Sequence, residues 1–113
     1  MATTTKESTS RRLVLVASLY INPGMEAEFE RFESAAGAIM ARHGGAIERR
    51  IRSAQSAGAD SPYEVHIVTF PDAAAFDRYR ADPAIAAMAQ LRTDAIARTS
   101  IVFGADLAPW PVA

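Results

Sequence analysis

Two histidines, two arginines and two tyrosines are the residues of this sequence best suited to chemistry. His66 sits in the middle of Tyr63–Phe70 (YEVHIVTF), an otherwise apolar stretch, where an imidazole suits general-base work. Tyr20 closes a second apolar run, Leu13–Ile21 (LVLVASLYI), and offers a hydroxyl on an apolar body. His66 and Tyr20 are therefore the candidate catalytic residues. Arg50 and Arg92 each carry a planar fork able to clamp a carboxylate. With His43 and Tyr79 they form the candidate ligand-binding set. Each of these residues also has a plainer reading. His66 pairs with Glu64 or Arg98 at an interface, and His43 favours a helix C-terminus through the dipole. The arginines join intersubunit or helix-capping ion pairs, and the tyrosines pack in the core.

Other chemistry is excluded or unsupported. The chain has no cysteine, which removes disulfides, thiolate zinc sites, iron–sulfur clusters and a cysteine nucleophile. The two histidines show no HxH or HxxxH spacing, so no metal is expected. The sequence lacks GxxxxGK[ST], a GxGxxG opening a helix, and the GxSxG elbow of serine hydrolases. Arg42-His43-Gly44-Gly45 is a helix end and not a nucleotide loop. Nothing signals haem, and no cofactor is expected. A formal charge of −1 from 12 basic and 13 acidic residues gives no field that favours nucleic acid or an anionic membrane. No apolar run approaches the ~20 residues of a membrane span.

The elements that must position these residues follow from pattern. In 113 residues there is room for one domain, and the apolar half includes 24 alanines, which leaves 32 larger apolar side chains for one modest core. Residues 1–10 are polar and read as a disordered tail. Arg11-Arg12 before Leu13–Ile21 resembles the start of a secretory signal, but no small-x-small cleavage site follows; the run reads as a first strand and the chain as cytoplasmic. Asn22 as N-cap and Pro23 at the first helical position open a helix to about His43, with Met25, Phe29, Phe32, Ala36, Ile39 and Met40 as its apolar stripe. Gly44-Gly45 stops it, with at least one of the two at positive φ.

Ala46–Ser53 is the second strand, Ala54–Pro62 a loop and Tyr63–Phe70 the third strand. Pro71-Asp72 opens a second helix carrying Phe76 and Tyr79 inward, and Asp82-Pro83 interrupts it. Ala84–Arg92 continues as helix with Ile85, Met88 and Leu91 on one side. Ala95–Phe103 is the fourth strand. The order βαββαβ specifies an α+β, ferredoxin-like fold: a four-stranded antiparallel sheet with the helices on one face. Residues 11–104 form this domain, and 105–113 an extended tail in which Trp110 either docks a partner or anchors on the chain's own core. A ligand site belongs between sheet and helices, where Ala35, Ala36, Ala86, Ala87 and Ala89 leave room.

Alternation within the strands assigns Leu13, Leu15, Ala17, Leu19, Ile47, Ile51, Val65, Ile67, Ala97, Thr99, Ile101 and Phe103 to the helix-covered face. The opposite face then holds Glu48, Arg50, Arg52, Glu64, His66 and Arg98 together with Val14, Val16, Val68, Phe70, Ile96 and Val102. Six large apolar groups on an open sheet predict a second sheet packed against it, which a self-complementary homodimer supplies.

On this pattern the sequence resembles the domain of unknown function 1330 family, within the dimeric α+β barrel superfamily that also holds antibiotic-biosynthesis monooxygenases. The likeness runs from about Leu13 to Gly104. It is carried by Arg42-His43-Gly44-Gly45 followed by Arg50, by Val68-Thr69-Phe70-Pro71, and by Phe76, Tyr79, Asp82-Pro83 and Leu91-Arg92. Ile85 stands where the family often has an aromatic, and Ile51-Arg52-Ser53 continues a strand where the family often turns at glycine. The resemblance implies a homodimer with facing sheets. By superfamily analogy it also implies a cofactor-independent, monooxygenase- or isomerase-like enzyme acting on a small organic molecule. The alternative is a non-catalytic dimeric module that binds a small metabolite or only assembles.

Overall fold

The computed structural model of the protein describes residues 12–54 and 60–111. The expected tail over residues 1–10 and the middle of the loop between the second and third strands lie outside these residues. Strands β1 (Leu13–Ile21), β2 (Ala46–Arg52), β3 (Glu64–Phe70) and β4 (Ile96–Gly104) form one sheet in the order β2-β3-β1-β4, with every neighbouring pair antiparallel. The long helix α1 (Glu26–Arg42) connects β1 to β2. The segments α2 (Ala73–Arg80), α3 (Pro83–Ala86) and α4 (Ala89–Ala95) connect β3 to β4. This is the α+β, ferredoxin-like arrangement that the element order specifies.

The helix boundaries follow from local chemistry. α1 begins at Glu26, not at Pro23, because Asn22-Pro23-Gly24 is spent on a turn. The Met25 N–H donates to the Asn22 carbonyl at 3.2 Å, and Gly24 takes a φ of 80°. The Asn22 side chain serves a different helix: its amide donates to the Thr93 and Asp94 carbonyls at 3.3 and 2.8 Å. At the other end of α1 the Gly44 and Gly45 amides donate back to the Ala41 and Met40 carbonyls, and Gly44 has φ 76°, the left-handed stop expected there. Asp72 caps α2 by accepting from the Ala75 N–H at 2.8 Å. Asp82 caps α3 through the Ala84 N–H at 2.9 Å, with Pro83 in the first turn. The helical piece expected over Ala84–Arg92 is thus two short segments, and the second runs on to Ala95.

The core divides into two clusters. Leu19, Phe29, Phe32, Ala36, Ala95 and Ile96 pack at one end; Leu15, Met40, Val68, Phe70 and Ala75 pack at the other.

Register overturns part of the face assignment. In β3 it is Glu64, His66, Val68 and Phe70 that are buried against the helices, lying opposite Leu19, Ala17, Leu15 and Leu13 of β1. Val65 and Ile67 point to the open face. Both faces of β3 carry two large apolar residues, so alternation alone could not tell them apart, and the pairing with β1 decides. β2 follows β3. A register shift between Ile47 and Arg49 places Arg50 opposite His66 and Arg52 opposite Glu64, on the helix side of the sheet, and turns Ile51 outward. A shift at Tyr20/Ile21 likewise brings Ile96 into the core. The open face therefore carries Val14, Val16, Tyr20, Ile51, Val65, Ile67 and Val102. It remains a largely apolar surface with a different membership.

Beyond β4 the chain runs on without helix or strand to Pro111. Trp110 and Leu107 are almost fully exposed, so the tryptophan does not anchor on its own core.

Candidate functional site

Between sheet and helices lies a cavity of about 350 Å³, the location expected for a ligand site. Its walls are mostly apolar: Leu15, Leu19, Val68 and Ile101 from the sheet, Phe32, Ala36 and Met40 from α1, Phe76 from α2 and Ile85 from α3. Ala17 and Ala36 hold the space open, since any larger side chain at either position would project into it. Against these walls stand Glu33, His66, Tyr79, Arg80, Arg92 and Thr99.

The most connected of the polar groups lies just behind the wall. Glu64 is 1 % exposed, yet it accepts from Arg50 Nε at 2.7 Å, from Arg52 Nε and Nη2 at 3.0 and 2.7 Å, and sits 2.5 Å from His66 Nε2. Burial pushes its pKa upward, but the hydrogen bonds from Arg50, His66 and Arg52 outweigh burial and hold the carboxyl at about 2. Arg50 also reaches Glu30 on α1, and Arg52 lies over the ring of Tyr63 at 4.0 Å. Both arginines keep their outer faces in water, so the buried carboxylate is compensated by charges that are themselves solvated.

An ionised carboxylate only accepts, so His66 Nε2 carries the hydrogen of that contact. The other ring nitrogen, Nδ1, lies 3.7 Å from Glu33 Oε1. That is too long for a hydrogen bond. Glu33 is 11 % exposed. Burial, reinforced by the negative charge of Glu64, raises its pKa to about 7, and Arg92 and Arg50 oppose the rise. Tyr79 is pushed up to about 12, first by burial and then by Glu33. Arg92 touches the Thr99 hydroxyl at 3.5 Å and has no carboxylate within ion-pair distance among the described residues. The arrangement can bind a small apolar body, present a cation to an anionic oxygen, and exchange a proton near neutral pH.

Of the residues singled out in the sequence, His66, Tyr79 and Arg92 come together at the cavity. Arg50 stands behind them as a partner of Glu64 and not in the wall. His43 is held away from the cavity wall by Asp82, 2.9 Å from its Nε2; that hydrogen bond lowers the pKa of Asp82. Tyr20 is on the opposite face of the sheet, beneath the guanidinium of Arg98 at 3.8 Å, and cannot meet His66 over one ligand. Sequence reasoning passed over Glu33 and Arg52 and gave Glu64 only as a partner of His66. A signal for Glu33 was present: it falls four residues after Phe29 and three before Ala36, so it lies within the apolar stripe of α1, where an acid is out of place. Among the described residues no group of three or more His, Asp or Glu side chains is arranged to hold a metal ion.

Three solved structures show how common this architecture is. A protein of unknown function from Rhodopseudomonas palustris superposes with a TM-score of 0.75 at 14% identity, over 96% of this chain and 95% of that one. SnoaB, a cofactor-independent oxygenase from Streptomyces nogalater, gives 0.68 at 20% identity, over 90% and 99%. A dabb family protein with a ferredoxin-like fold from Mesorhizobium loti gives 0.62 at 18% identity, over 86% and 98%. At such identities the likeness is one of fold. No curated protein matches the sequence. The family model of the domain of unknown function DUF1330 matches residues 8–105, which include the whole sheet-and-helix unit, and the chain belongs to that family.

Proposed function

We propose that the cavity binds a small, largely apolar organic acid or ketone and that the protein is a cofactor-independent cytoplasmic enzyme acting on it. One observation carries this reading: an apolar cavity of about 350 Å³ in which Glu33, His66, Tyr79 and Arg92 converge. A purely structural module has no need of an acid with a pKa near 7 and of a guanidinium that, among the described residues, has no carboxylate partner in its wall. The fold likeness to a cofactor-independent oxygenase is consistent with it. Arg92 is the anchor for an anionic oxygen on the substrate. A thermal-shift screen of small aromatic and aliphatic acids and ketones tests the proposal. Stabilisation by at least one of them should be lost in Arg92→Lys, which keeps the charge and loses the fork, while the melting temperature of the free protein stays put. If no compound shifts the wild type, or if the lysine variant only melts earlier, the reading fails.

The proposed working form is a homodimer with the open sheet faces packed together, supported by the apolar row Val14, Val16, Val65, Ile67 and Val102. Light scattering should give about twice the 12.1 kDa of one chain. Ile67→Asp, which puts a charge in the middle of that row, should return the monomer mass. Val68 would be the wrong probe, because it is buried on the helix side.

A further inference from the structure

The cavity wall contains two carboxylates on either side of one imidazole, and their surroundings differ sharply. Glu64 is clasped by two arginines and touches His66 Nε2; Glu33 has no hydrogen-bond donor among the described residues and faces Nδ1 across 3.7 Å. Every fully buried side-chain nitrogen and oxygen among the described residues has a hydrogen-bond partner. Among the described residues His66 Nδ1 has no hydrogen-bond partner, and His66 lines the cavity. The clasped carboxylate fixes the hydrogen on Nε2, and a neutral ring then presents its Nδ1 lone pair toward Glu33 and the ligand space. A carboxylate orients the catalytic histidine of hydrolase triads by the same logic.

We propose that Glu33 is the proton-transfer residue of this cavity, and that Arg50, Arg52 and Glu64 are positioning residues that act on it by fixing His66. The inference rests on the cavity being a ligand site and adds the chemical class of substrate: a ketone with an acidic α C–H. The Glu33 carboxylate takes that hydrogen as a proton. The C–H bond breaks, an O–H bond forms on Glu33, and the electron pair stays on the substrate as an enolate whose oxygen faces Arg92. Returning the proton to the α carbon, or to another carbon of a conjugated enolate, restores the enzyme, and no oxidant or reductant enters. Both states of Glu33 are populated near neutral pH, so it can take and give the proton. The charges acting on it are Glu64 from β3, Arg50 from β2, Arg92 from α4 and Glu30 from α1; His66 lies 3.7 Å from it, and Tyr79 is near enough to feel its charge.

Two measurements on the ligand-free full chain test the assignment. Carboxyl ¹³C NMR, with Glu33 assigned by its loss in Glu33→Gln, should show Glu33 titrating near pH 7. Imidazole ¹⁵N shifts, with His66 told from His43 by His43→Gln, should show the neutral His66 ring carrying its hydrogen on Nε2. A Glu33 titration below about 5, the ordinary carboxylate range, overturns the proposal, as does an Nδ1–H tautomer. Arg50→Lys, which preserves the charge, should move the Glu33 midpoint by loosening the clasp; an unmoved midpoint refutes the positioning role. The third measurement uses 2-tetralone as probe in deuterated water. Its α hydrogens should exchange faster with protein than without, and Glu33→Gln should remove about 100-fold of that acceleration. Equal exchange by the wild type and the variant overturns the role of Glu33. Thermal-shift binding of other ligands alongside an ordinary Glu33 titration would sink this inference and leave the ligand site intact.

Discussion

The two ends of β3 bury their inward side chains with equal completeness and by opposite means. At its C-terminal end Val68 and Phe70 are sealed in hydrocarbon. The Phe70 ring lies 5.3 Å from that of Phe76 and 5.5 Å from that of Tyr79, and it fills the space next to Gly45, where an added Cβ would fall 2.3 Å from the ring. At its N-terminal end Glu64 and His66 are sealed just as well, within a lattice of charges. The apolar end is held by area and shape, which change little with pH. The charged end is held by a balance between desolvation and ion pairing, and protons tilt it. The cavity lies between, drawing walls from the first and acid–base groups from the second. One strand thus supplies both a rigid floor and a titratable edge.

The sharpest test of the contrast is at the rigid end. Phe70→Ala should cost about 4 kcal/mol of unfolding free energy, the transfer term plus an unfilled cavity, and the loss should be the same at pH 5 and pH 8. Chemical denaturation at the two pH values checks this; a strong pH dependence would erase the distinction. At the other end Glu64→Gln should cost about 3 kcal/mol at neutral pH, because it strands a buried imidazole and two aimed guanidinium groups; the solvation of the arginines keeps it at the low end for a broken buried pair. Here pH matters. The folded pKa of Glu64 is below its ordinary value, so its contribution is complete above about 4.5 and fades as pH falls toward about 2. Variant and wild type should converge in acid.

The third effect has the opposite sign. Glu33 holds its proton up to about pH 7 in the folded chain but only to about 4.5 when unfolded, so its contribution is full below 4.5 and is lost as pH rises through 7. Glu33→Gln should therefore stabilise the protein by about 3 kcal/mol at pH 8 and by almost nothing at pH 4. Wild-type and variant melting curves that stay parallel across this range would show that Glu33 is not held as described.

Order and spacing made the architecture legible, because each boundary is marked by a residue with few alternatives: Gly44 for the left-handed stop, Asp72 and Asp82 as caps, Pro83 after the break. Glu64 and His66 were legible as chemistry-bearing residues but were assigned to the wrong side of the sheet. The reason lies in β3 itself, whose two faces have similar apolar content, and in β2, whose irregularity after Ile47 reverses Arg50 and Arg52. Neither is a local property; both are settled by hydrogen bonding to another strand. Asn22 misled for a related reason. Its type suits a cap, but the helix end that it serves lies more than seventy residues further along the chain. Glu33 alone was readable and overlooked, since an acid inside an apolar stripe already signals either a buried partner or a buried task.

The pairing of β1 with β3 and β4 also governs when the fold can form during synthesis. Of the four strands of the sheet, β1 leaves the ribosome first; it is a central strand, and both its partners are made later, β4 last of all. Translation proceeds at ~5–20 residues per second, so Leu13–Ile21 waits for seconds as an unpaired, β-prone apolar segment. α1 forms in the meantime from local contacts, and its stripe is the nearest surface on which that strand can shelter. A truncation before Ile96 would leave the waiting permanent. Such a fragment should appear in cells as a chaperone client or an aggregate and not as a smaller folded protein.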